Sequence, residues 1–316
     1  MTSKSTINHT DLEIAPLNFG GNVFGWTLDE KESFRILDAF VAAGFNFIDT
    51  ADTYPWWVNG TGGLSETIIG KWMRERGNRD DLVIATKVGS ETKEHPKDIS
   101  REHIMRSVEE SLHRLQTDRI DLYYTHFDDE KTLVEETLAA YDAAIKAGKV
   151  RHIGASNVPP ERITRTMDLA EKSDLPRYVA LQPHYNLLVR EDLESRYAPL
   201  VERFGFSVFP YWSLASGFLT GKYRSEEDFE KTQRGGSVKK YFDDRGKAIL
   251  EALDTVAARH ETTCATVAIA WLLANPLVTA PIASATSETQ LQTLFDAVKL
   301  ELDAEDMERL DIPAED

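Results

Sequence analysis

Eight short apolar runs, separated by stretches with helical periodicity, constrain this 316-residue chain more than any other feature. The runs 17–19, 45–48, 82–86, 120–125, 150–155, 178–181, 206–211 and 278–282 read as buried strands. Amphipathic helices are predicted after nearly every one. The first covers 30–43, with Phe34, Leu37, Phe40 and Val41 on its apolar side and Gly44 as its stop. Others cover 65–76 with Ser65 as cap, 101–115 with Ser100 as cap, and 132–147 closed by Gly148. The remainder open at Pro159-Pro160 or cover 190–203, 246–260, 264–274, 287–298 and 304–310. Leu12 to Ala15 is expected to form part of a small N-terminal hairpin around His9-Thr10-Asp11. Eight units of this size predict an α/β fold, a single (β/α)₈ TIM barrel domain over residues 1–316. Its active site belongs at the C-terminal ends of the strands.

Those strand ends are polar in a recurring register. Asp49 ends the second strand, and Tyr54 follows in its loop. Lys87 ends the third strand and His126 the fourth. Ser156-Asn157, Gln182 and Tyr211 end the fifth, sixth and seventh, and Ser284 and Thr286 follow the eighth. Each residue alone has a plain structural reading: a turn cap, a loop lysine, a satisfied buried histidine. The recurrence at strand after strand favours a shared rim. Tyrosine is a weak acid, with a pKa of about 10. A neighbouring ammonium stabilises its phenolate, so Lys87, held by Asp49, is expected to make Tyr54 a proton donor near neutral pH. His126 can orient a carbonyl oxygen toward it. No activated serine or cysteine stands out as a nucleophile, which leaves hydride from a nicotinamide. Asn157, Gln182 and Ser156 suit a carboxamide, and Tyr211 suits stacking on the nicotinamide ring.

Competing motifs fail on spacing. Gly20-Gly21-Asn22-Val23-Phe24-Gly25 is not a dinucleotide fingerprint, and Gly217-Phe218-Leu219-Thr220-Gly221-Lys222 is too short for a phosphate-binding Walker loop. His126, His152 and His184 are dispersed, so no metal is expected. A glycosidase would need two rim carboxylates where His126 and Tyr211 stand. A net charge of −17 argues against nucleic acid and anionic membranes as partners. Cys264 is the only cysteine and reads as a core side chain. The polar stretch Met1 to Asn8 is no secretory leader, and no run is long enough to span a bilayer, so a cytoplasmic location is expected. The charged stretch 223–246 follows the seventh strand and reads equally as a flap or as a solvated insertion.

The chain resembles the aldo-keto reductases from about Leu17 to Leu310. The resemblance rests on Gly44-Phe45-Asn46-Phe47-Ile48-Asp49-Thr50-Ala51-Asp52-Thr53-Tyr54 and Leu64-Ser65-Glu66-Thr67-Ile68-Ile69-Gly70. It rests further on Ala85-Thr86-Lys87-Val88, Asp121 to His126, Gly148 to Asn157 and Leu219-Thr220-Gly221-Lys222-Tyr223. It implies a catalytic tetrad of Asp49, Tyr54, Lys87 and His126. It implies nicotinamide contacts at Ser156, Asn157, Gln182 and Tyr211. Further cofactor contacts are expected at Ser213, Leu214, Gly217, Lys222, Ser284, Thr286 and Gln290. Trp26, Trp56, Trp57 and Phe127 are candidates to wall a substrate pocket, with plain loop packing as the alternative. The implied activity is reduction of aldehydes and ketones with NADPH. The alternative is a nucleotide-binding regulatory subunit resembling the potassium-channel β subunits. Two departures stand out: Trp212-Ser213-Leu214 where similar members read Ser-Pro-Leu, and no Arg or Lys in Ile282 to Ser287 after the eighth strand. The hydroxyls of Ser284, Thr286 and Ser287, with a helix opening near Ser287, are then the expected phosphate donors.

Overall fold

A computed structural model of the chain describes residues 3–232 and 235–313. Strands β1 (Ser5–Thr6) and β2 (Glu13–Ile14) form the antiparallel N-terminal hairpin. The ring consists of β3 (Asn18–Gly20), β4 (Phe47–Asp49), β5 (Val83–Val88), β6 (Ile120–Thr125), β7 (Val150–Ser156), β8 (Tyr178–Gln182), β9 (Ser207–Val208) and β10 (Ile282–Ala283). They pair in parallel in the order β10-β3-β4-β5-β6-β7-β8-β9. Backbone bonds from Thr279 N to Val208 O (2.9 Å) and from Ile282 N to Pro210 O (2.9 Å) join the two ends. The last two strands are shorter than the runs 206–211 and 278–282 suggest, yet those runs still close the barrel.

Alternation along each strand sorts the interior. Phe47, Val83, Ala85, Leu122, Tyr124, Ala180 and Phe209 pack together inside the ring, and Ile7, Leu12 and Ile14 of the hairpin plug its N-terminal end. One period further along, the same inward face carries Asp49, Lys87, His126, Gln182 and Tyr211, because side chains two apart share a face. The apolar filling thus gives way to a polar layer at the C-terminal rim. Residues on the opposite face, such as Ile48, Ile84 and Tyr123, pack under the surrounding helices.

The helices are α1 (Glu30–Ala42), α2 (Trp56–Asn59), α3 (Leu64–Arg76), α4 (Arg101–Leu115), α5 (Val134–Lys146) and α6 (Pro160–Ser173), then α7 (Ala198–Phe204), α8 (Gly235–Val238), α9 (Asp244–Arg259), α10 (Cys264–Ala274), α11 (Glu288–Ala297) and α12 (Ala304–Leu310). Ser100 caps α4 as expected, and Asp29 and Glu32 form a capping box on α1. Ser65 is not a cap. Gly63, at φ +80°, opens α3, while the buried Ser65 hydroxyl donates to Gly21 O (2.8 Å) and accepts from Thr50 Oγ1 (2.7 Å). The expected helix 190–203 contains a wide π turn over Asp192–Tyr197 before α7. Pro199 lacks the N–H that would continue regular α bonding there. The described part of 223–246 forms short turns, with Tyr223 and Phe229 buried and stacked 5.4 Å apart.

Candidate active site

Four strand ends converge at one end of a cleft of about 510 Å³ in the C-terminal rim. Asp49 from β4 and Lys87 from β5 form a buried ion pair, and Lys87 Nζ also donates to Thr50 O at 2.6 Å. Gln182 from β8 donates to the other Asp49 oxygen at 2.8 Å. The Lys87 ammonium lies 4.9 Å from the centre of the Tyr54 ring. The His126 ring stands edge-on to Tyr54 at 5.7 Å. The structure thus brings the four residues together as their strand positions predicted.

Their protonation follows from burial and charge. Burial alone would strip the Lys87 proton, but Asp49 and Tyr54 overrule it and raise its pKa above the ordinary value. Burial raises the Tyr54 phenol, and the Lys87 charge pulls against that rise. The net lowering expected for Tyr54 is therefore absent: desolvation outweighs the ammonium. Burial, then the Lys87 charge, pushes His126 well below its usual value, so its imidazole is neutral at pH 7. The cluster can supply a proton from Tyr54, a hydrogen bond from His126, and a fixed cation beside the phenolate left behind.

The expected nicotinamide contacts form one preassembled network. Ser156 Oγ donates to Gln182 O (2.9 Å). Asn157 Nδ2 donates to His126 O (2.9 Å) and Ser156 Oγ (3.0 Å), and its Oδ1 accepts from Tyr211 OH (2.8 Å). Asn157 stands at φ +48°, a conformation that asparagine tolerates better than most residues. Tyr211 stacks on His184 at 5.3 Å, and Trp212 meets His184 edge-on at 4.8 Å. Trp212 is 47% exposed at φ +55°, its carbonyl held by Asn186 Nδ2 at 2.9 Å. Gln182 and Tyr211 line the cleft itself.

Further along, the cleft passes Ser213, Leu214, Gly217 and Lys222 and ends near Ser284, Thr286 and Gln290. Ser216 and Gly217 both have left-handed backbones, at φ 56° and 97°. A Cβ on Gly217 would lie 3.1 Å from Lys222 Nζ, so glycine lets the lysine close over the loop. Beyond the Lys87 cluster, Lys222 is the one cation among the described residues that line the cleft. The expected phosphate donors are largely committed elsewhere. Ser284 Oγ donates to Gly20 O (2.6 Å), as Ser213 Oγ, expected as a cofactor contact, does to Ile282 O (2.7 Å). Thr286 Oγ1 donates to Gln290 Oε1 (3.1 Å), and Ser287 Oγ caps α11 by accepting from Gln290 N (3.2 Å). A dinucleotide still fits this shape: an acid cluster at one end, a lysine over a left-handed loop midway, and a polar and apolar wall beyond.

Of the aromatic candidates, Trp57 lies 5.9 Å from Tyr54 and packs edge-on to Trp26 at 5.4 Å, with Trp56 behind it at 6.3 Å. Phe127 lies 4.9 Å from His126. Sequence reasoning missed Asn22, Thr27, Thr232, Thr263, Ala265, Thr293 and Leu294, all along the cleft. Ala265 lies in the first turn of a helix read as core, and that helix is buried as expected through Leu272. Only Asn22, just past the first strand, carried a signal, namely its place at a strand end.

Comparison with known proteins agrees with this architecture. The sequence model described as the Aldo/keto reductase family matches residues 16–315. An uncharacterized oxidoreductase YrpG of Bacillus subtilis is 36% identical over 95% of this chain and 92% of its own. The protein tas of Escherichia coli is 32% identical, covering 94% and 93%. A probable voltage-gated potassium channel subunit beta of Arabidopsis thaliana is 33% identical, covering 92% and 90%.

Proposed function

The chain belongs to the Aldo/keto reductase family, and from that premise we propose that it is a single-domain reductase that turns aldehyde or ketone carbonyls into alcohols. The observation that carries the reading is the Lys87 ammonium set between the Asp49 carboxylate and the Tyr54 ring, at the head of a cleft that suits a dinucleotide. A reduced nicotinamide, NADPH rather than NADH, would supply hydride when bound. Ser156, Asn157, Gln182 and Tyr211 would hold its carboxamide and ring. Leu214, Gly217, Lys222, Ser284, Thr286 and Gln290 would follow its phosphates and adenosine.

Within that frame the protein's own groups divide the work. Neutral His126 donates a hydrogen bond to the carbonyl oxygen and turns it toward Tyr54. Tyr54, held protonated by its buried setting, gives its proton to that oxygen as negative charge develops. Lys87, kept cationic by Asp49, stabilises the tyrosinate that remains. Trp26, Trp56, Trp57 and Phe127 exclude water around the carbonyl.

Steady-state reduction of an aldehyde panel with NADPH and NADH in parallel tests the proposal. Turnover that depends on Tyr54 is expected; no turnover with either cofactor would overturn it. The likeness to a channel subunit favours a second reading, a nucleotide-binding regulatory subunit with little turnover. Tight cofactor binding without catalysis would favour that one.

A further inference from the structure

Beside the aromatic residues next to His126 stands a cation that the chemistry above does not use. Lys97 lies in the loop between β5 and α4 and is half-buried. Its ammonium sits 5.0 Å from the centre of the Phe127 ring, and that ring lies 4.9 Å from His126. The charge is therefore at most about 10 Å from the His126 ring. Among the described residues Lys97 has no carboxylate partner. Three acids of the same two loops are engaged elsewhere. Asp98 Oδ1 accepts from Ser100 N (2.9 Å), and Asp129 Oδ2 accepts from Ile99 N (3.2 Å) and Thr132 Oγ1 (2.6 Å). Asp128 pairs with Arg162 at 2.8 Å. A chain of net charge −17 would be expected to neutralise a half-buried lysine. Here the two loops hold their acids away from it and leave it on an aromatic face.

Flat walls and a free cation define a ligand together. Trp57 and Phe127 start beside Tyr54 and His126, so a planar body attached to the reacting carbonyl would run between aromatic faces. Its far end would meet Lys97. We propose that the site favours planar aldehydes bearing an anionic group at the end opposite the carbonyl, and that Lys97 is the residue that reads that charge. The overall field of the protein repels anions, so only a local cation can produce such a preference. The inference rests on the carbonyl-reductase reading and adds to it a substrate class and a specificity-determining residue.

The test compares 4-carboxybenzaldehyde with its neutral methyl ester, methyl 4-formylbenzoate, in the full-length protein and in Lys97→Gln and Lys97→Arg variants. The wild type is expected to prefer the acid by about fivefold in kcat/KM, through KM rather than kcat, as suits one partly exposed ion pair. Raising the salt concentration should shrink the preference. Lys97→Gln should abolish it and leave the ester unchanged, and Lys97→Arg should restore it. An acid-to-ester ratio that is the same in wild type and Lys97→Gln would overturn the role of Lys97 while leaving carbonyl reduction standing. Absence of turnover with both aldehydes would overturn the two proposals together.

Discussion

Gln182 donates its side-chain amide to the Asp49 oxygen that Lys87 leaves free, at 2.8 Å, from a strand four places around the ring. Both carboxylate oxygens are thereby held, and the carboxylate cannot rotate away from Lys87. Gln182 is thus part of the charge cluster as well as a candidate cofactor contact. Gln182→Leu would leave a buried carboxylate oxygen unpaired, a loss of about 1.5–3 kcal/mol for a bond to a charged group. A fall in kcat of about tenfold or more is expected in steady-state assays. An effect confined to cofactor affinity would reduce Gln182 to a binding contact.

Tyr54→Phe removes the proposed acid and little else, since the ring and its packing against Trp57 and His126 remain. Carbonyl reduction should fall by about 10²–10⁴-fold. Cofactor titration by fluorescence should be unchanged. Near wild-type kcat would remove Tyr54 from the mechanism.

The pH dependence should report Lys87. Burial holds the phenol above its ordinary pKa, so reduction by protonated Tyr54 should be flat through neutral pH and fall only in strong alkali. Lys87→Met takes away the charge that opposes this rise, so the alkaline limb should move further up while kcat drops steeply. Circular dichroism should show that the variant folds. An unmoved limb with ample residual rate would contradict the role.

Acid stability should depend on His184. Burial, aided by the Lys240 charge, lowers its pKa to about 4, against about 6.5 in an unfolded chain. Between those values the unfolded state binds the extra proton, so stability falls as pH drops through that window. His126 acts in the same direction. Thermal melts of wild type at pH 7.5 and 5 should differ by more than those of His184→Gln. Equal differences would show that His184 titrates freely in the folded protein.

Lys222 should decide cofactor affinity. With Ser284 and Thr286 hydroxyls committed to Gly20 and Gln290, its ammonium is the main counter-charge in the cleft. Lys222→Met should weaken NADPH and NADH alike by about tenfold or more, the value of a charge-assisted bond. The wild type should prefer NADPH by a small margin. Ser287→Arg is a poor way to sharpen it, because Ser287 caps α11 and losing a cap costs about 1 kcal/mol. Tighter NADH binding in a fluorescence titration would reverse the assigned preference.

Much of this molecule was legible in one dimension. Strand alternation has a period of two, so an apolar run ending in Asp49, Lys87 or His126 already sets which face the polar residue takes. The run of apolar positions settled the eight strands and nearly all the helices, and a terminal glycine or serine marked several boundaries. The local exceptions have local causes that involve a partner distant in sequence. Ser65 looks like a cap, but its hydroxyl is captured by Gly21 and Thr50.

Tertiary structure alone decided what the rim residues do to one another. Whether Lys87 lowers the Tyr54 pKa is a contest between Coulomb attraction and desolvation, and desolvation depends on every atom packed around the pair. Whether Ser284 and Thr286 face a phosphate depends on Gly20 and Gln290. The far wall of the cleft comes from Thr263, Ala265, Thr293 and Leu294, whose positions look like ordinary helix starts and helix interior. Sequence period determines the direction of a side chain. Hydrogen-bond partners and local dielectric are set by segments far apart in the chain, and those meet only when the barrel closes.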